Sequence, residues 1–456
     1  MDSKKNLFII YNMTRKNIII VGAAGRDFHN FNTLFRYNEN YNVIAFTAAQ
    51  IPDIDDRKYP AELAGPPYYN GIPIYSEEEL PRLIREFDVH DCVFSYSDIP
   101  YQKVMSVSAI VNSASANFIL PGGRETMLKS NKPVIAVGAV RTGCGKSQTS
   151  RRIIEILMKK GLKVVAIRHP MPYGNLIDQK VQRFAEIPDL QKQHCTIEEM
   201  EEYEPHIVRG NVIYAGVDYE AILRAAENDV RGCDIIVWDG GNNDFPFLKP
   251  DLMITVTDPH RAGHELRYYP GEVTLRIADV VIINKIDTAD NNAIREVRSN
   301  IEKVNPDAVV IHSASPIRVD DPSVIKGKKV LVIEDGPTLT HGEMKIGAGI
   351  VAARKFGAAS LVDPRPFIVG RLKETFEIYP EIGTLLPAMG YGEEQLKDLE
   401  TTVNNADCES VVVGTPIDLN RVIRINKPNT RVYYDLEENG TPNLEMVLSD
   451  FVKRIS

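Results

Sequence analysis

Ile135-Ala136-Val137-Gly138-Ala139-Val140-Arg141-Thr142-Gly143-Cys144-Gly145-Lys146-Ser147 is a short apolar run, then a glycine-bearing turn, then the start of a helical pattern. An apolar run bounded by turn signals reads as a buried strand. Strand, glycine-rich turn and helix in that order form the context of a phosphate-binding loop. Glycines let successive backbone N–H groups curl around a β-phosphate, and the helix N-terminus adds its positive end. Lys146 is expected to neutralise β- and γ-phosphate oxygens, and the Ser147 hydroxyl to ligate Mg²⁺. The cradle comprises Arg141, Thr142, Gly143, Cys144, Gly145, Lys146, Ser147 and Gln148. One departure stands out: Val140 occupies the place of the first glycine, with Gly138 two residues earlier.

Two later strand ends complete this site. Ile235-Ile236-Val237-Trp238-Asp239-Gly240-Gly241 is an apolar run closed by a carboxylate and glycines, so Asp239 is the expected partner for Mg²⁺. Val280-Val281-Ile282-Ile283-Asn284-Lys285-Ile286-Asp287 ends in the Asn-Lys-x-Asp tetrad that reads guanine in P-loop GTPases. Asn284, Lys285 and Asp287 match it in type and order, and Ser313-Ala314 ends a further strand as a base-capping loop would. GTP is therefore the favoured nucleotide, with ATP the alternative. As a bland reading, Asp287 or Thr288 simply caps the next helix.

Around these motifs, short apolar runs alternate with helical spacing along the whole chain, which indicates an α/β fold with parallel sheets and crossover helices. A Rossmann-like α/β domain is expected at 15–130, with strands near 17–21, 43–46, 92–95 and 118–120. It includes a long loop over 51–73. A P-loop NTPase domain is expected at 131–319. A C-terminal α/β region at 320–456 is expected to pack on it. Residues 1–14 read as a disordered extension in which Met13 is an alternative start. The turn Gly22-Ala23-Ala24-Gly25-Arg26-Asp27 resembles a dinucleotide fingerprint only loosely, because the full glycine spacing is missing.

The 456 residues are 43% hydrophobic and 25% charged, an ordinary globular balance. Sixty-two acidic against 53 basic residues give a net charge of −9, and no basic run marks a nucleic-acid or anionic-membrane partner. Five scattered cysteines form no CxxC pair, so neither a disulfide framework nor a zinc site is expected, and a cytoplasmic location is. No stretch approaches the roughly 18 apolar residues of a membrane span.

Cations near a γ-phosphate do much of phosphoryl transfer. Arg168-His169-Pro170-Met171-Pro172-Tyr173-Gly174 follows one strand, and Asp258-Pro259-His260-Arg261-Ala262-Gly263-His264-Glu265 another. Glu334-Asp335-Gly336-Pro337-Thr338-Leu339-Thr340-His341-Gly342 follows a third. Strand ends are where ligands bind in parallel sheets. Arg168, His169, His260, Arg261 and His264 are therefore expected to converge on a small anionic substrate. His260 and His264 with Glu265 have the spacing of a metal pair on a helix, but the flanking Pro and Gly favour a loop and a phosphate-handling role. The acidic run at 198–204 reads as a solvated helix face.

These strings, with Val140-Arg141-Thr142-Gly143-Cys144-Gly145-Lys146-Ser147-Gln148-Thr149-Ser150-Arg151 and Trp238-Asp239-Gly240-Gly241-Asn242-Asn243-Asp244, resemble the cyclic 2,3-diphosphoglycerate synthetase-like proteins, also described as predicted P-loop GTPases. The resemblance runs from about residue 17 onward and includes Gly22-Ala23-Ala24-Gly25-Arg26-Asp27-Phe28-His29-Asn30-Phe31. It implies nucleotide-driven closure of an intramolecular phosphoanhydride in a small phosphorylated substrate, releasing NDP and phosphate. The loop itself resembles that of the dimerising ATPase/GTPase class, which implies a homodimer. The alternative is a regulatory or metallochaperone-like GTPase of that class with no small-molecule substrate.

Overall fold

The computed structural model describes residues 15–23, 25–49, 57–169, 174–241, 244–336, 347–388 and 393–455. The extension 1–14, part of the 51–73 stretch, and the motif positions Ala24, Pro170, Met171, Pro172, Tyr173, Asn242 and Asn243 lie outside them. So do Pro337, Thr338, Leu339, Thr340, His341 and Gly342. The chain forms two compact units, one of Met1–Tyr96 with Gln102–Thr126 and one of Ser97–Tyr101 with Met127–Ser456. Among the described residues, no helix is long and apolar enough to cross a membrane.

The first unit is a six-stranded sheet in the order β3-β4-β2-β1-β5-β7. Its strands are β1 (Lys16–Val21), β2 (Tyr41–Ala48), β3 (Lys58–Tyr59), β4 (Ile72–Ser76), β5 (Asp91–Phe94) and β7 (Asn117–Ile119), whereas β6 (Ile99–Pro100) falls in the second unit. β1 pairs in parallel with both β2 and β5, the Rossmann-like core that the alternating pattern indicates. Gly22 sits at φ +135, and a Cβ there would stand 2.7 Å from Asp27 Oδ2. Asp27 folds back to accept the N–H groups of Gly25 and Phe28 at 2.8 and 2.7 Å, so this turn is closed by its own carboxylate. The stretch expected as one long loop instead contains β3 and a helical turn, Ala61–Ala64. The reason is Tyr59, fully buried and stacked on Phe28 at 4.7 Å.

The second unit holds a nine-stranded sheet and a six-stranded one. The larger uses β8 (Val134–Ala139), β9 (Val164–Arg168), β10 (Gln182–Phe184), β11 (Val212–Ala215), β12 (Ile235–Asp239), β13 (Leu252–Thr257), β15 (Val280–Ile283), β16 (Val309–Ala314) and β23 (Glu437–Glu438). Their order is β10-β11-β9-β12-β8-β13-β15-β16-β23, parallel except at the two edges. β8, β9, β12, β13 and β15 are buried at every position, which is why they read as unbroken apolar runs. The smaller sheet is built on β18 (Lys329–Asp335), β21 (Ser410–Val413) and β22 (Asn429–Tyr434), with β17 (Ile317–Val319), β19 (Ser360–Leu361) and β20 (Leu386–Ala388) at its margins. Each sheet has its own apolar core.

Between the two cores lies the helix Ile197–Ile207, whose Met200 packs against both. This is the acidic run, and its reading as a solvated face is wrong. Glu198, Glu199, Glu201 and Glu204 are each 5% exposed or less. Glu199 accepts from the Thr196 N–H and from Gln179 in a capping box. Glu201 accepts from Thr415 at 2.5 Å, and Glu204 from the Asp418 N–H and Arg421 at 3.2 Å each. Burial pushes the Glu199 carboxyl up to about 7, and burial, with Asp335 nearby, holds the Glu201 carboxyl well above its ordinary range.

Glu334, at the end of β18, is buried and accepts the Ile350 N–H at 2.9 Å, where helix Ala348–Lys355 begins. Burial pushes its carboxyl up to about 8 from an ordinary 4.5. A raised folded-state pKa means its contribution is fully present below about 4.5 and is lost as pH rises toward 8. Glu334→Gln keeps an acceptor but no titration. Its Tm should therefore fall less than the wild type's between pH 5 and 8, and parallel Tm curves would refute the assignment.

Candidate functional site

The strand β8 delivers the loop whose Gly143 and Gly145 take φ values of 81 and 108, open to glycine at little steric penalty. A Cβ on Gly145 would stand 2.1 Å from Asn284 Nδ2 and 2.4 Å from Gln148 Nε2. Asn284 is that close because it donates to the Cys144 carbonyl at 2.9 Å, while its own oxygen accepts from Ser313 at 3.0 Å. Lys285 donates to the Gly143 carbonyl at 2.6 Å and pairs with Asp258 at 2.9 Å. Asp287 accepts the Ser315 N–H at 3.1 Å, and Ser315 in turn donates to Gln148. Tetrad, phosphate loop and the end of β16, where Ala314 precedes Ser315, thus interlock.

The other side of the loop is braced by groups expected at a substrate. Arg141 is 2% exposed, pairs with Asp98 at 2.6 Å, and lies 3.6 Å over the Tyr268 ring centroid. His264 Nδ1 stands 2.9 Å from the same guanidinium. Arg261 donates to the Thr142 carbonyl at 2.7 Å. His260 is turned outward to Thr288. Arg141 is thus engaged by Asp98, Tyr268 and His264, Arg261 by Thr142 and His260 by Thr288, while Arg168 reaches Asp239 and His169 reaches Asp244. Asp98 is a residue that sequence reasoning missed: its second oxygen accepts the Thr142 N–H at 3.1 Å. It arrives on Ser97–Tyr101, where β6 pairs with β14 (Tyr268–Tyr269). Burial pushes the Cys144 thiol up to about 11, so it is inert.

The chemical centre is Asp239, fully buried at the end of β12. One of its oxygens accepts from Lys146 at 2.9 Å and Ser150 at 2.7 Å and lies 3.3 Å from Arg168; the other lies 3.2 Å from His206 Nε2. Burial alone would raise its pKa, but Lys146, Arg168 and His206 outweigh burial and hold it well below the carboxylate range. Burial depresses both Lys146 and His206. A neutral His206 donating to Asp239 leaves Nδ1 to accept from Asn211 at 3.3 Å, which assigns its tautomer from the network.

Arg168 also donates to the Asp239 and Gly240 carbonyls and forms a short ion pair with Glu202. Glu202 in turn accepts from Ser147 at 3.4 Å. Glu202 and His206 lie on one face of the acidic helix, four residues apart, and nothing local in the run distinguishes Glu202 from its neighbours. His169 pairs with Asp244 at 3.0 Å, and the missing side chain of Gly241 makes room for it, since a Cβ there would stand 2.3 Å from its ring.

Ser147, Glu202 and Asp239 form an all-oxygen set of the kind Mg²⁺ takes. Asp239 is already engaged by Lys146, Ser150, Arg168 and His206, so Glu202 is the carboxylate that faces Ser147. Among the described residues, no group of three or more His, Cys, Asp or Glu side chains could hold a metal, so the His260–His264 pair has no further ligand.

Comparison with known proteins adds four findings. The model of the cyclic 2,3-diphosphoglycerate synthetase P-loop domain matches residues 208–314, which hold Asp239, Asn284 and Asp287 but begin after the phosphate loop. Arginine synthetase ArcE of Thermococcus kodakarensis is 61% identical over 96% of this chain and 97% of that protein. A cyclic 2,3-diphosphoglycerate synthetase of Thermococcus sibiricus is 31% identical over 23% of this chain and 24% of that one. Among solved structures, LpxK from Aquifex aeolicus in complex with ATP aligns over 78% of this chain and 96% of that chain at 12% identity, with a TM-score of 0.44.

Lys146→Ala should remove nucleotide binding measured by calorimetry. Asp98→Ala deletes two hydrogen bonds to the loop's outer side, one of them to a charged group, and should weaken binding by about 10- to 100-fold, or ~1.5–3 kcal/mol. Unchanged affinity in Lys146→Ala refutes the loop as the nucleotide site.

Proposed function

The chain belongs to the cyclic 2,3-diphosphoglycerate synthetase-like family of P-loop proteins, and within it we propose an arginine-forming synthetase driven by a nucleoside triphosphate. The observation that carries this reading is the end-to-end likeness to arginine synthetase ArcE, 61% identical over 96% of the chain. The site is consistent with it, since Lys146, Arg168, Asp239 and Glu202 gather beside Ser147, where a γ-phosphoryl group would lie.

Elementary chemistry dictates the steps. The guanidinium carbon of arginine bears three nitrogens, and its immediate precursor bears a ureido group with oxygen in place of one of them (citrulline). That oxygen leaves only once it is phosphorylated. The ureido oxygen attacks the γ-phosphorus, the bond to the β–γ bridging oxygen breaks, and NDP departs. Ammonia then adds to the carbon, phosphate leaves with the carbon–oxygen electron pair, and the surplus proton passes to solvent.

The chain's own residues serve the first transfer by position and charge. Lys146, beside Asp239, is placed to reach the β- and γ-oxygens. Arg168, held between Glu202 and the Asp239 carbonyl, neutralises the departing charge. Asp239 stays ionised throughout because its neighbours hold its pKa far below neutrality. Ser147, with Glu202 and Asp239, would hold Mg²⁺, which would supply charge neutralisation to the nucleotide's phosphates. Asp287 keeps one oxygen on Ser315, leaving the other for a purine N–H donor, which favours guanine.

A second reading is intramolecular phosphoanhydride formation in 2,3-diphosphoglycerate, favoured by the family model over residues 208–314. Both follow one logic, phosphorylation of an oxygen and then displacement. Incubation with Mg²⁺, GTP or ATP, citrulline and ammonium should yield arginine and NDP in equal amounts, read by chromatography. A cyclic product from 2,3-diphosphoglycerate without ammonium would select the second reading; NTP hydrolysis indifferent to every small substrate would leave a regulatory GTPase. Asp287→Ala should weaken GTP binding at least about tenfold more than ATP binding, and an equal loss would reduce the tetrad to a brace for the loop.

A further inference from the structure

On the outer face of the P-loop helix Lys146–Lys159 lies a cavity of about 960 Å³, walled on one side by the end of the acidic helix and on another by the segment around β23. It adjoins the phosphate loop at Gln148, the last residue of the cradle, while none of residues 141–147 lines it. Its carboxylates already have partners: Glu155 pairs with Lys159 and Arg152, Glu438 with Arg152, and Asp435 with Arg209. Arg151 is different. It lines the cavity, is 9% exposed, and makes no hydrogen bond or ion pair among the described residues, with its Nε fully enclosed. The wall beside it includes the guanidinium of Arg209, while Glu437, a fourth carboxylate of the lining, lies 3.9 Å from Arg318. Burial first, and then Arg151, depress the Arg209 guanidinium, the signature of like charges held together.

A buried guanidinium without a partner is destabilising unless something supplies the opposite charge. The cavity is large enough for a metabolite-sized ligand. We propose that it is a second anion site, which receives a small carboxylate- or phosphate-bearing molecule on Arg151, apart from the nucleotide site. Its position gives occupancy a short route to the chemistry, because His206 lines the cavity and also bonds Asp239. Carboxylate and phosphate both offer the paired oxygens that a guanidinium fork takes.

The test compares the full-length wild type with Arg151→Met by calorimetric titration, using inorganic phosphate in one arm and acetate in the other. The wild type should show a saturable component that Arg151→Met lacks, while both proteins bind nucleotide equally. The arm that shows the component identifies the ligand class. Identical titrations in both arms, including no binding by either protein, overturn the proposal. Stability supplies an independent readout. Without added anion, Arg151→Met should melt at or above the wild-type temperature, since an uncompensated buried cation has been removed. A Tm lower by more than about 5 °C, or failure to fold, would mean Arg151 holds the structure instead and would equally overturn the site.

Discussion

Asp239 is a charged carboxylate with no exposed surface, and the second unit is organised to keep it that way. Taking such a group out of water costs several kcal/mol unless donors surround it. The donors come from three elements: Lys146 and Ser150 from the P-loop helix, Arg168 from β9 and His206 from the acidic helix. Each is then held by a further contact. Arg168 takes Glu202, and His206 takes Asn211. The acidic helix is drawn against the phosphate loop by one face, and Glu201 and Glu204 on it are satisfied by the segment that follows β21, through Thr415, Asp418 and Arg421. One buried charge thereby ties the end of the chain to the nucleotide site.

The phosphate loop shows the same logic at smaller scale. Its carbonyls are engaged from both sides, by Asn284 and Lys285 on the base side and by Arg261 on the other. The Thr142 and Cys144 N–H groups go to Asp98 and to the Arg141 carbonyl; the oriented carbonyls leave the loop's other N–H groups to point the opposite way, which is what an anion needs. Preorganisation of this kind is how a protein stabilises phosphoryl transfer without rearranging during it.

Much of this was legible in the sequence. Strands buried on both faces announce themselves as apolar runs, and β15 begins and ends where its four β-branched residues do. The phosphate loop, Asp239 and the tetrad carry local spacing that only a few structures satisfy. The acidic helix carried none. Carboxylates at 198, 199, 201, 202 and 204 point to every side of a helix, and a solvated helix has the same composition. Their partners Thr415 and Asp418 stand 214 residues downstream of Glu201 and Glu204, beyond any local pattern. Arg141, Arg261 and His264 illustrate a second gap. Sequence located them near the loop but could not say which way they point, and the deciding groups, Asp98 and Tyr268, come from remote segments.

The excursion of Ser97–Tyr101 into the second unit makes that unit discontinuous in the chain. A gene fragment beginning at Met127 would encode the phosphate loop, Asp239 and the Asn-Lys-x-Asp tetrad yet omit Asp98, stranding the 2%-exposed Arg141 without its carboxylate. The smallest portable piece of this nucleotide-binding machinery is therefore longer than its motifs, and any shuffling of modules, by evolution or by design, must carry those few residues along.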